Sequence, residues 1–363
     1  MPKPRVICTV TNDLNYDQRM IRICNSLQEA GYNVLLVGIE RKKSAALQKK
    51  AFEQKRIPVW FEKGKLFYLE YNIRLLFYLL SAKVDVLCAI DLDTIMPVYY
   101  ASILRKKKRV YDAHELFTEM QEVMSRPLIY KMWSWVEKTY VKRFSAGYTV
   151  GAAIADIFRE RYGVHYGLVR NITVLKPFEI PEKKEHYILY QGAVNVGRCF
   201  EYLIPAMKQV DATLIICGEG NFFEQAKQIT AEEGLNDKVI FKGYVPPDEL
   251  RNFTLHAYIG ITLFEATATS NKYSLANRFF DYMHHGVPQL CVKYPEYEKI
   301  NADYEVAHLI EKPTTEYIAR GLNYLLENKD YYKRLLQNCL LAREQYCWQH
   351  EEKTLLKIYD QLG

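Results

Sequence analysis

Short apolar runs alternate with helix-length stretches along most of this chain. "RVICTVT", "NVLLVGI", "VDVLCAID" and "KRVYDAH" read as strands buried on both faces, because their apolar residues are nearly continuous rather than alternating. Between the first two lies "DQRMIRICNSLQEAGY", with Met20, Ile23 and Leu27 on one helical face and Gly31 as a stop. "TIMPVYYASILRK" is the helix between the next two. A long amphipathic helix, "SRPLIYKMWSWVEKTYVKRFS", then precedes the strand "AGYTV" and the helix "AAIADIFRERYG". This rhythm predicts a parallel sheet covered by helices on both faces.

The rhythm breaks at "NITVLKPFEIPEKKEH", which is rich in Pro and charge and reads as a linker. It then restarts with the strands "YILYQGA", "ATLIICG", "KVIFKGY", "AYIGITL", "VPQLCVK" and "VAHLI", with helices between them. The expectation is α/β: two doubly wound, Rossmann-like domains in tandem. Their bounds are residues 1–171 and 187–345, with a linker at 172–186 and a closing segment at 346–363.

Composition changes this picture little. The 363 residues are 49% hydrophobic and 25% charged, ordinary for a globular chain with room for two domains. Eight cysteines are scattered without a CxxC pair or a zinc spacing, as reduced core residues of a cytosolic protein would be. No N-terminal apolar segment is long enough for a signal peptide, and no uncharged run reaches the roughly 18 residues of a membrane span. A cytoplasmic protein is expected. The net charge of +6 is mild. Its densest cluster is "ILRKKKR", Ile103–Arg109. That cluster reads as a solvated turn or as an anchor for anionic lipid at the inner face of a membrane. No basic-aromatic interleaving marks a nucleic-acid fold, so no nucleic-acid partner is expected.

In doubly wound sheets ligands bind at the carboxyl ends of strands, and the candidate chemistry lies there. Gly192 ends one strand and would let backbone approach a ligand, with Arg198 at the next helix start as a phosphate clamp. Gly218 and Gly220 form a tight "GEG" turn whose amides could face a phosphate, though many βα turns carry such a pair. Tyr244 and Val245 offer backbone to a nucleobase edge, or are a mere connection. In "NKYSLANRFFDYMHHGVPQL", Ser274 is placed as a helix N-cap, with Arg278 and Asp281 following on the same face. Amides near Ser274, Leu275, Ala276 and Asn277 plus Arg278 suit a diphosphate, and Asp281 suits a ribose diol. The bland reading is a solvated helix face. In the first half, His114 and Glu115 lie just past the strand ending "YDA". Asn12, Asp13, Asp17 and Arg19 make a polar loop that could line the acceptor side.

These blocks, in this order, resemble the retaining glycosyltransferases of family 4, which have the GT-B fold. The resemblance runs over nearly the whole chain, through "YDAHELFTEM", "YQGAVNVGRCFEYLIPAM", "IICGEG", "VIFKGYVPPDEL", "LANRFFDYMHHGVPQLCV" and "CWQHEEKTLLKIYDQL". It implies two domains facing each other across a cleft, with residues 346–363 returning as a helix to the N-terminal domain. It implies transfer of a hexosyl group from a UDP- or GDP-sugar to a saccharide or lipid-linked acceptor, such as a growing surface polysaccharide of the cell envelope. No cofactor and no metal are expected. Arg198 resembles the family's diphosphate ligand, and Arg278 stands where a Lys is common. Asp281 resembles the second acid of the E-x7-E motif, and His114 the histidine near the transferred sugar. A neutral imidazole is expected at His114. The first acid of E-x7-E is replaced by Tyr273, which removes the usual handle on sugar hydroxyls. A sugar-nucleotide epimerase of the same fold, or a catalytically silent GT-B subunit, are the competing readings.

Overall fold

The computed structural model describes the whole chain except residues 1, 2, 16, 180, 182, 183, 267, 268 and 363, and the side chain of residue 122. The expected linker therefore falls partly outside the described residues. The chain divides into two units, Met1–Arg170 with Glu351–Gly363, and Asn171–His350.

In the N-terminal unit the apolar runs become strands β1 (Arg5–Thr9), β2 (Asn33–Glu40), β3 (Glu53–Pro58), β4 (Val86–Ile90), β5 (Lys108–Ala113), β6 (Gly147–Thr149) and β7 (Gly167–Leu168). They form one parallel sheet in the order β3-β2-β1-β4-β5-β6-β7. Every residue of β4 is buried, as a strand covered on both faces requires. The helices relevant to the site are α1 (Gln18–Glu29), α2 (Gly64–Ser81), α3 (Asp91–Leu104), α4 (Gln121–Met124) and α5 (Pro127–Tyr140). The helix Trp348–Asp360 buries Leu355 and Tyr359. Tyr359 packs against Tyr32 and Tyr148, ring centroids 6.0 and 6.5 Å apart, and Glu351 pairs with Arg170 at 2.6 Å.

The hydrophobic pattern assigns no element between Ile39 and Val84, where the structure has β3 and α2. Each has a reason to escape pattern reading. β3 is the polar edge strand "EQKRIP". α2 buries Phe67, Tyr71, Leu75 and Leu79, yet leaves Leu66, Leu69, Ile73 and Phe77 exposed on its other side. With apolar residues on two opposed faces, the 3.6-residue contrast vanishes.

The C-terminal unit holds β8 (Tyr187–Gln191), β9 (Thr213–Cys217), β10 (Val239–Gly243), β11 (Ile259–Thr262), β12 (Gln289–Val292) and β13 (Ala307–Ile310). Their order is β10-β9-β8-β11-β12-β13, again all parallel. Strand order reverses between β1 and β4 in the first sheet and between β8 and β11 in the second. The carboxyl ends of those pairs are where a doubly wound sheet opens a crevice.

Candidate functional site

At the switch point of the C-terminal sheet two guanidinium groups meet on one aromatic ring. Phe264 follows β11, and Arg198 and Arg278 lie over it at 4.4 and 4.7 Å from its centroid. Arg278 comes from the helix Asn277–His284, which carries its side chain back under the end of β8. It stacks on Tyr190 at 4.6 Å and donates to the Tyr190 hydroxyl at 3.2 Å. It reaches the carbonyls of Gln191 and Leu263 only at 3.5 and 3.4 Å, and its buried Nε has no hydrogen-bond partner. Gly192 makes room for it: a Cβ at that position would lie 3.3 Å from Arg278 Nη1. Arg278 is only 8% exposed, and among the described residues it pairs with no carboxylate. A buried cation held by long carbonyl contacts and aromatic faces is costly unless an anion joins it.

Other expected donor residues have local duties. Ser274 is not the N-cap. A short helix, Thr269–Lys272, ends before it, and the next helix starts at Asn277 with Ala276 as its cap. The Ser274 hydroxyl donates to the Asn271 carbonyl at 2.9 Å, and the Ala276 amide to the Tyr297 hydroxyl at 3.0 Å. Leu275 lies in the turn between the helices. Gly218 is glycine because a Cβ there would sit 1.9 Å from the Gly192 carbonyl oxygen, and its amide donates to Gly243. Gly220 is glycine because Val194 and Asn195 crowd it. Both glycines let two strand-end turns touch; the Gly218 amide does not point at a ligand. The Tyr244 amide donates to the Glu219 carboxylate at 3.3 Å, and Val245 is buried in the core. Asp281 accepts the Thr173 hydroxyl at 2.7 Å on one oxygen and the Gln191 amide at 3.1 Å on the other. Those bonds tie helix, strand and linker together.

The switch point of the N-terminal sheet gathers a cluster of acids around one histidine. His114 Nε2 lies 3.0 Å from Asp112 Oδ2, and Nδ1 lies 3.4 Å from Asp91 Oδ2. The His114 amide also donates to Asp91 at 2.8 Å. Burial alone would hold the imidazole neutral, but Asp112 and then Asp91 outweigh it and raise its pKa to about 9. The expected neutral imidazole is therefore an imidazolium at neutral pH, with both ring nitrogens facing carboxylates. Asp112 is held below the usual carboxylate range despite its burial, by Arg19 and His114. Asp91 and Asp93 are each pushed up to about 7, chiefly by burial. Asp91 also holds a φ of +50°, a left-handed conformation unusual for a non-glycine residue.

The polar loop after β1 is mostly structural. Asp17 caps α1 through the Met20 amide at 3.0 Å. Arg19 is buried, bonded to Asp112 at 2.8 Å and to the Val169 carbonyl at 2.9 Å. Asp13 pairs with Arg56 at 2.8 Å. Asn12 donates to Asp17 and, with Glu115, Asp91, Asp93 and His114, lines a cavity of about 980 Å³ within this unit. Three cations of the basic run have partners. Arg105 donates to the Leu79 and Ala82 carbonyls at the end of α2, Lys107 pairs with Asp85, and Arg109 stacks on Tyr99 and Phe144. Among the described residues no helix is long and apolar enough to cross a membrane.

Sequence reading missed Phe264, Tyr190, Asp91 and Asp93. "IDLD" at the end of β4 is a visible signal, since two acids opening a helix at a strand's carboxyl end occupy the ligand edge of the sheet. The aromatic platform carries no signal in one sequence; only the fold brings Phe264 between the two arginines.

Comparison with known proteins bears on the family and the fold. Residues 18–174 match the family model described as Glycosyltransferase Family 4, and residues 173–339 match that of Glycosyl transferases group 1. An uncharacterised glycosyltransferase of Methanocaldococcus jannaschii is 25% identical over 193 residues, 48% of this chain and 45% of that protein, so the match spans less than half of its length. The fold is shared with sucrose-phosphate synthase of Thermosynechococcus elongatus, at TM-score 0.82 and 14% identity over 99% of each chain. It is shared with a glycosyltransferase of Rickettsia africae at TM-score 0.76 and 12% identity, covering 100% of this chain and 99% of that one. It is also shared with HepE of Anabaena in complex with UDP, at TM-score 0.72 and 13% identity over 99% of this chain and 98% of that one. Two glycosyltransferase models in succession, one on each α/β unit, and the fold of these neighbours make this a chain of the GT-B glycosyltransferase type.

Proposed function

We propose that the protein transfers a hexosyl group from a nucleoside-diphosphate sugar to a saccharide-bearing acceptor, with retention of anomeric configuration and without a metal ion. The observation that carries this reading is the buried Arg278, stacked with Arg198 on Phe264 at the ligand edge of the C-terminal sheet. Two cations at one ring suit a diphosphate, which would supply the charge partner that Arg278 lacks among the described residues. UDP is the favoured nucleotide because a neighbour of the same fold is described with UDP and with UDP-glucose.

In the proposed reaction an acceptor hydroxyl oxygen bonds to the anomeric carbon as the bond from that carbon to the diphosphate oxygen breaks. The electron pair leaves with the nucleoside diphosphate, whose phosphate takes the acceptor proton. Arg198 and Arg278 stabilise the charge that builds on the leaving group, the service a metal ion gives elsewhere. His114 is a positioning residue here, since its nitrogens hold Asp91 and Asp112. Asp91, at the sheet edge with its carboxyl pushed up by burial, is the group suited to meet sugar hydroxyls.

Calorimetry with UDP and a panel of sugar nucleotides tests the clamp. Arg198→Ala or Arg278→Ala is expected to weaken binding by roughly 1.5–3 kcal/mol, the scale of a hydrogen bond to a charged group. Unchanged affinity in both variants would remove the clamp. Turnover assays on the same panel separate the classes. Release of nucleotide only with acceptor supports transfer, whereas interconversion of sugars without acceptor, or binding without turnover, contradicts it.

A further inference from the structure

Most of the large apolar side chains left exposed among the described residues belong to the N-terminal unit, and they gather on α2, α5 and the loop before α2. On α2, Leu66, Leu69, Ile73 and Phe77 recur at i, i+3, i+7 and i+11, one stripe opposite the buried Phe67, Tyr71, Leu75 and Leu79. On α5, Leu128, Met132 and Trp135 make a second stripe at i, i+4 and i+7, while Trp133 and Val136 are buried. The two stripes are neighbours. Tyr68 of α2 meets Trp133 of α5 edge-on at 5.6 Å, and Leu69, Ile73, Met132 and Trp135 wall the same cavity. Apolar surface of this extent on two adjoining helices marks a face that something else covers.

The loop that joins β3 to α2 adds a built feature. Glu70 accepts the backbone amides of Trp60 and Phe61, each at 3.0 Å, and pairs with Arg74 at 2.9 Å. Arg74 in turn lies 4.6 Å from the centroid of the Trp60 ring. One carboxylate and one guanidinium thus order the loop tip without covering its rings: Trp60 stays 78% exposed and Phe61 44%. Of the four tryptophans, Trp133 and Trp348 are buried, and the two exposed ones, Trp60 and Trp135, both lie in this region.

We propose that this face seats the N-terminal unit on an anionic lipid surface. Trp60 and Phe61 enter the headgroup layer, where an aromatic ring with one polar edge is stable. The stripes of α2 and α5 rest against the boundary of headgroups and acyl chains. Charge complementarity selects this occupant. From Arg126 to Arg143 every exposed charge is cationic, and the one acid, Glu137, is buried and accepts the Tyr162 hydroxyl at 2.9 Å. By helical spacing Lys131 and Lys138 border the α5 stripe, and Lys63 and Lys65 outnumber Glu62 around the Trp60 loop. A layer of lipid phosphates supplies their counter-charge. A second copy of this chain, docked face to face, would set the same lysines against each other. The proposal stands apart from the transferase reading, since it concerns the lipids of a bilayer and not the molecule that receives the sugar.

Co-sedimentation of the full chain with sugar-free vesicles tests this, one set of phosphatidylcholine alone and one with phosphatidylglycerol added. Binding is expected to the second set only and is expected to weaken in high salt. Brominated phosphatidylglycerol is expected to quench the tryptophan emission of the parent, a readout that needs no variant, and to quench it less in Trp60→Ala. Phe77→Asp combined with Leu128→Asp, both at exposed positions, is expected to lower vesicle binding by about tenfold or more, with UDP affinity and thermal unfolding near the parent's. Lys131→Glu combined with Lys138→Glu is expected to remove the preference for phosphatidylglycerol. No binding to the phosphatidylglycerol vesicles, equal binding to both sets, binding without quenching, or binding that the paired Asp variant leaves intact would each overturn the proposal. So would a dimer that the paired Asp variant dissolves while the parent ignores vesicles, because the face would then join two copies. Vesicle binding by a parent that does not bind UDP would strike the transferase reading and leave this one standing.

Discussion

His114 shows how a single residue type can be read correctly for place and wrongly for state. It sits at the ligand edge, yet both ring nitrogens face carboxylates. A histidine whose pKa is raised in the fold stabilises it below its ordinary value and loses that contribution as pH rises through the folded one. Here the window runs from 6.5 to about 9. The acids work earlier. Asp91 and Asp93, raised from 3.8 to about 7, hold protons in the fold that the unfolded chain releases, so their contribution fades between pH 4 and 7. His114→Asn should therefore cost most near pH 6, up to roughly 3 kcal/mol, and little at pH 9.5. Urea unfolding of parent and variant at both pH values checks this, and an equal cost at both would mean the imidazole is not charged in the fold.

At the scale of one element, the helix Asn277–His284 is the most informative. Its apolar residues Phe279, Tyr282 and Met283 were legible as core, and all three are buried. Its start was misplaced, because a serine beside a helix looks like a cap whether or not the chain turns there. Asp281 suits a ribose from its helix face and its resemblance to the second acid of E-x7-E, and in the fold its oxygens accept bonds from Thr173 and Gln191. Asp281→Asn turns one of those acceptors into a donor facing a hydroxyl or an amide that needs an acceptor. We expect a stability loss of about 1.5–3 kcal/mol and an unchanged preference for UDP over its 2′-deoxy analogue. A variant of parental stability that discriminates less between the two nucleotides would return Asp281 to the ribose.

On the scale of the whole molecule, the N-terminal unit is assembled from the two ends of the chain. Glu351 is nearly buried and holds Arg170 by two bonds, one to the backbone amide at 2.8 Å and one to the guanidinium at 2.6 Å. Glu351→Ala removes both of these bonds from a part-buried cation and is expected to destabilise this unit by about 3 kcal/mol. Hydrogen exchange should show faster opening across β1 to β7, while β8 to β13 keep parental protection. Uniform loss across both units would mean that they unfold as one.

The sequence alone determined the strands that are buried on both faces, because continuous apolar runs have few other places to go, and with them two parallel α/β units and their ligand edges. It also placed Arg198, Arg278 and His114 at those edges, since the carboxyl end of a strand can be read from where an apolar run stops. α2 and β3 escaped it, because one is apolar on two sides and the other is polar at a sheet edge. Tertiary structure decided the rest. Contacts over 73 and 181 residues of chain brought Asn271 to Arg198 and Glu351 to Arg170, and shorter-range ones placed both arginines of the clamp on Phe264. Periodicity reports which face of an element is covered, but which atoms meet there, and in what charge state, depends on neighbours that only the folded chain supplies.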